Sequence, residues 1–177
     1  ASETPFVFTV DDGDPTGTVT VNENTWDKLL NVLTFGIFNK VKADVSATYA
    51  DETSPVTVEY IKVSNNDAPI LLSKDALDDL YKDGKFAPYA DFSVTTNEQF
   101  VVYIRITDHA GNYIYINSDG AIVDMVPSAI VITPESANGN GLYGHAYDDG
   151  IKVDISVSDA EPYSGIKSID YQVVMDN

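Results

Sequence analysis

Apolar and polar residues alternate along most of this chain, and a two-residue period predicts strands. After the turn Asp12-Gly13-Asp14-Pro15, the stretch Thr16 to Asn22 alternates threonine with valine. In 41–50, Val41, Ala43, Val45, Ala47 and Tyr49 fall on one face. In 56–63, Val56, Val58, Tyr60 and Lys62 take one side, and Ile61 and Val63 the other. Phe100 to Thr107 is apolar on both faces, which predicts a central strand. Tyr113 to Asn117 follows across a short turn, and 121–126 is the last strand of this stretch. Two segments change period. Trp26, Leu29, Leu30 and Leu33 stand at i, i+3, i+4 and i+7, which predicts a short helix capped by Asn24 or Thr25. A second helix is expected from Ser73 to Tyr81, with Asp75 in its first turn, Leu77, Leu80 and Tyr81 on its apolar face, and Gly84 as its stop.

The strand pattern also recurs at a longer interval. Val41-Lys42-Ala43-Asp44-Val45-Ser46-Ala47 matches Ile151-Lys152-Val153-Asp154-Ile155-Ser156-Val157, with Lys, Asp and Ser identical and the other positions apolar in both. Val58-Glu59-Tyr60 matches Ile169-Asp170-Tyr171, and Thr18-Val19-Thr20-Val21 aligns with Ile130-Val131-Ile132-Thr133. The spacing is about 110 residues throughout, the mark of tandem modules. Phe8-Thr9-Val10-Asp11 likewise resembles Ala121-Ile122-Val123-Asp124. Residues 1–11 are therefore expected to hold the last strand of a preceding module or a linker, 12–126 a complete module, and 127–177 the N-terminal part of a second. Half a sandwich exposes sheet edges and half a core. The second module should need a cover: the first module, another copy of the chain, or the strand at 6–10.

Charge narrows the partners. The 177 residues include 28 acidic against 10 basic ones, a formal net charge of −18. Such a surface repels phosphate, so neither a nucleic-acid partner nor direct membrane insertion is expected. The apolar runs are too short to span a bilayer. The absence of cysteine excludes disulfides and Cys-based metal or redox sites. The opening Ala1-Ser2-Glu3-Thr4-Pro5 reads as mid-chain sequence.

In the turn Thr107-Asp108-His109-Ala110-Gly111-Asn112, Asp108 can cap its own turn, and Gly111 or Asn112 can supply positive φ. These three are expected to be hairpin hardware, and His109 and His145 surface residues. Ile106-Thr107-Asp108-His109-Ala110-Gly111-Asn112, followed by Ser118-Asp119-Gly120-Ala121-Ile122-Val123-Asp124 and a proline, resembles the close of bacterial immunoglobulin-like repeats. Ser164 to Tyr171 is similar to their third-strand region. The resemblance covers roughly 38–126 and 127–177. It implies an all-β fold: an immunoglobulin-like β-sandwich with two short helical inserts, then a truncated second sandwich. It also implies an extracellular location on a bacterial, commonly Gram-positive, cell surface, and a non-catalytic role as a stalk or spacer beside adjacent modules. An adhesive or carbohydrate-binding module, or an accessory domain of a secreted glycoside hydrolase, is the alternative.

Two ligand classes follow. Asp11, Asp12, Asp14, Asp124, Asp148 and Asp149 gather at turns and module boundaries, and Ca²⁺ takes six to eight oxygen ligands. No Asp-x-Asp-x-Asp-Gly loop is present, and solvated acidic turns are the competing reading; no other cofactor is expected. Tyr113, Tyr115, Tyr143, Tyr147 and Tyr163 are the aromatics that could face a host glycan, although tyrosine is also ordinary sandwich packing. Lys42 and Lys152 occupy matching positions where an isopeptide bond would need a buried lysine; beside a polar face, both are expected to be exposed.

Overall fold

A computed structural model describes residues 10–64, 71–136, 151–160 and 164–174. The strands are β1 Thr16–Val21, β2 Asn24–Trp26, β3 Ile37–Asn39, β4 Ala43–Ala50 and β5 Val56–Ser64. Helix α1, Lys74–Lys82, follows. Then come β6 Ala87–Pro88, β7 Phe92–Val94, β8 Glu98–Asp108, β9 Tyr113–Asn117, β10 Ala121–Val123, β11 Ala129–Ser136 and β12 Ile151–Ser158. One sheet runs β2-β1-β4-β7; a second runs β3-β10-β8-β5-β6, with β9 also paired to β8. Only β3–β10 is parallel among the described pairs.

The two sheets pack face to face, as expected for a sandwich. Val19, Val21, Ala43, Val45 and Val94 from one meet Phe100, Val102, Ile104, Ile106, Ile116, Ala121 and Val123 from the other. Burying such side chains stabilises by about 1.5–3 kcal/mol each. Strand β8 is buried on both faces, as its sequence predicts, because a second core lies on its outer side. There Leu77 of α1 packs with Val101, Tyr103 and Tyr115, and Leu29, Leu33 and Phe35 close over them. Gly17 lies close under the opposing sheet: a Cβ there would lie 2.3 Å from Ile106 Cδ1.

Helix α1 forms where predicted. The Ala76 N–H donates to Ser73 Oγ at 3.2 Å, a side-chain N-cap, and Gly84 takes φ +68 beyond its end. The helix predicted at 26–33 does not form. Trp26 belongs to β2, and the following loop is held by long-range acceptors instead of its own carbonyls. The Leu30 N–H donates to Asn117 Oδ1 at 2.6 Å, and the Thr34 N–H to Asp119 Oδ1 at 2.7 Å. Phe35 adopts φ 52, unusual for a bulky residue, and its ring occupies the space that a Cβ on Gly120 would need. The leucine stripe reports burial of Leu29 and Leu33, not a helical backbone.

The C-terminal stretch forms one antiparallel ladder, β11–β12. In β1–β4, Val19 pairs with Ala47 and Val21 with Val45. In β11–β12, Ile130 pairs with Val157 and Ile132 with Ile155. The match between 41–47 and 151–157 thus carries into pairing, but Val19 corresponds to Ile130, not to Val131. A one-residue slip flips every side chain to the other face: aligning Thr18 with Ile130 matches an outer-face residue to the counterpart of the core residue Val19. The third strand expected at 164–171 is absent: residues 164–174 form no ladder. Its counterpart, β5, pairs with β8 along its whole length, and no such partner strand stands beside 164–171 among the described residues. The strand expected within 1–11 falls almost wholly outside the described residues.

Candidate functional site

The registers bring three connections to one end of the sandwich. Thr16 pairs with Ala50, and Val56 with Asp108, so the segments 10–15, 51–55 and 108–112 converge. Asp11, Asp51 and Asp108 meet there, each with a carboxylate oxygen within 4.8 Å of the others'. This is the candidate cation site. Of the aspartates singled out in the sequence, only Asp11 joins it. Asp12 and Asp14 line the adjoining crevice with Glu52. Asp148 and Asp149 lie outside the described residues.

Donors from the protein already surround these carboxylates. Asp108 Oδ1 accepts the N–H groups of Gly111 at 2.6 Å and Asn112 at 2.8 Å, and Oδ2 accepts the Asn112 amide at 2.7 Å. Burial pushes the Asp108 carboxyl up, but these donors outweigh it and hold the group below its usual range. Asp51 Oδ1 accepts the N–H groups of Thr53 and Ser54 at 2.9 and 2.7 Å. Asp11 Oδ2 accepts Ser54 Oγ at 3.2 Å, and the Asn112 amide also donates to the Asp11 carbonyl at 3.1 Å. Asp108, Gly111 (φ +100) and Asn112 therefore act as turn hardware, and they also tie the entry of the chain to the β8–β9 hairpin. A hard cation could draw on the remaining lone pairs, but the turns are satisfied by N–H donors without one.

Asp124 stands apart, at the boundary between the sandwich and β11. Its Oδ1 accepts the Val126 N–H at 3.0 Å, and its Oδ2 the Ser164 N–H at 2.8 Å. Burial raises its pKa, and the donors from Ser164 and Val126 bring it below the ordinary value. It fastens the boundary instead of joining the other aspartates.

The tyrosines in β9 do not form a glycan platform. Tyr115 is buried, and its hydroxyl donates to Asp78 Oδ1 at 3.0 Å. The half-buried Tyr113 donates to the same carboxylate at 3.1 Å. The guanidinium of Arg105 lies 3.8 Å from the Tyr81 ring centroid and 4.2 Å from that of Tyr113. Together these contacts clamp α1 onto the sheet, with cation–π attraction strengthened by burial. Tyr143, Tyr147 and Tyr163 fall outside the described residues. Sequence reasoning missed Asp51, Asp78 and Arg105. Arg105, the only arginine in the chain, interrupts an apolar strand, and that was the available signal.

Lys42 is exposed and pairs with Asp44 at 2.7 Å; Lys152 pairs with Asp154 at 2.9 Å in the matching position. Neither has the buried setting that an isopeptide bond requires. His109 reaches Ser54 through its backbone N–H, at 3.2 Å, which is not a nucleophile–base contact. Among the described residues, no helix is long and apolar enough to cross a membrane. No family model, curated protein or solved structure matches the chain.

Proposed function

We propose that this chain is a non-catalytic extracellular part of a bacterial surface protein, an immunoglobulin-like module followed by the opening of another, acting as a spacer in a tandem array. The carrying observation is the pair of ladders β1–β4 and β11–β12, which place matching apolar residues opposite one another about one module length apart. A satisfied turn network at the entry and a bonded boundary at Asp124 suit a stiff connection between units. The acidic, cysteine-free composition suits a hydrated surface protein. In this reading, the cover for β11–β12 is a sheet like the β8–β9–β10 face that covers β1–β4.

Antibodies raised against residues 12–126 test the location. They should label intact cells of the source bacterium, and brief protease treatment of those cells should remove the label. Labelling that requires permeabilisation would overturn the proposal.

A further inference from the structure

Tyr49 and Tyr89 flank an open groove at one edge of the sandwich, completed by Ala47, Thr48, Ala90 and Asp91. Its volume of ≈ 630 Å³ lies in the usual range for small-molecule sites. Tyr49, near the end of β4, leaves 47% of its surface exposed on a backbone fixed by pairing with Gly17. Tyr89 is half-buried and held from three sides. Its N–H donates to the Val58 carbonyl at 2.9 Å, its ring meets Tyr60 at 90° and 5.7 Å, and its hydroxyl donates to Asp91 Oδ1 at 2.9 Å. Burial and then Asp91 raise the Tyr89 pKa well above its ordinary value, so the phenol stays protonated. Asp91 Oδ2 has no hydrogen-bond partner among the described residues, and the side chain is exposed.

We propose that this groove binds a neutral saccharide, with a sugar ring against Tyr49 and its hydroxyls donating to Asp91. A ring face beside a free carboxylate oxygen provides for both the apolar and the hydroxyl side of a sugar. No lysine or arginine lines the groove, and the chain's charge of −18 disfavours uronic, sialic or phosphorylated sugars. An organic cation would be attracted to the same charge, but a cation cage needs several open ring faces. Here Tyr89 is packed against Tyr60, leaving Tyr49 as the single exposed platform. This inference is independent of the spacer reading.

NMR titration of the ¹⁵N-labelled 177-residue chain tests it. The probes are maltotetraose, cellotetraose and chitotetraose, with sialyllactose and choline as charged controls. At least one neutral probe should shift resonances at 47–49 and 89–91. Tyr49→Ala and Asp91→Ala, both surface changes, should each weaken that binding about tenfold or more, and Tyr171→Ala should leave it unchanged. The proposal is overturned if no neutral probe binds at millimolar concentration, if binding survives Tyr49→Ala, or if a charged control binds better.

Discussion

The chain contains the same two-stranded ladder twice, once inside a core and once outside it. In β1–β4, Val19, Val21, Ala43 and Val45 are at most 1% exposed. In β11–β12, the corresponding Ile130, Ile132, Val153 and Ile155 are 40–63% exposed. Pairing is alike in both, and β4 and β12 share their alternation, although Val131 stands where β1 has Thr20. The difference is the opposing sheet: β8, β9 and β10 cover the first ladder, and no described strand covers the second. Backbone pairing and alternation are thus enough to define a ladder, but stability comes from the apolar face that another layer buries.

Substitution at matching positions breaks the comparison most sharply. Val45→Asp buries an unpaired carboxyl and should cost on the order of 3–5 kcal/mol in urea unfolding, enough to unfold much of the sandwich. Ile155→Asp should change the main transition by less than about 0.5 kcal/mol. Equal losses would mean that the second ladder is buried too.

Glycine chemistry sharpens the comparison at one point. Gly17 pairs with Tyr49, so the one-residue continuation of β11–β12 places Ser128 beside Asp159. Ser128 Oγ donates to Asp159 at 3.2 Å. A side chain fits there, whereas one at Gly17 would strike Ile106. Gly17→Ser should cost about 1–3 kcal/mol by overpacking. Ser128→Gly should alter urea unfolding by less than about 1 kcal/mol.

Acid separates the first body from the second more gently. The folded-state pKa of Asp108 is depressed, so its contribution is present above the unfolded value near 3.8 and fades as pH falls through the lower folded value. Asp108→Asn should flatten the acid limb of the urea midpoint against pH. An equally steep limb in the variant would remove Asp108 from the account. The smallest effect concerns calcium. With the turns already satisfied by N–H donors, adding it to chelator-treated protein should leave Tm unchanged; a rise abolished by Asp51→Asn would assign an ion to the Asp11–Asp51–Asp108 cluster.

The long strands were legible because alternation over five or more residues specifies a face. Helix α1 was legible because Ser73, the apolar spacing and Gly84 agree. Strands β2, β3, β6 and β7 span two or three residues, too short for a period to emerge. The loop after Trp26 misled because Asn117 and Asp119, distant in sequence, supply its acceptors. At the acidic end, Asp11 and the role of Asp108 were readable locally. Asp51 enters only through the pairing register of β1, β4, β5 and β8, which composition does not encode.

Native-state hydrogen exchange on the whole chain, resolved by residue, measures the two ladders side by side. Amides of β4 should exchange only through global unfolding, and those of β12 faster by several orders of magnitude. Matching protection in both strands would contradict the claim that an opposing sheet, which no described strand provides for the second ladder, is what stabilises the first.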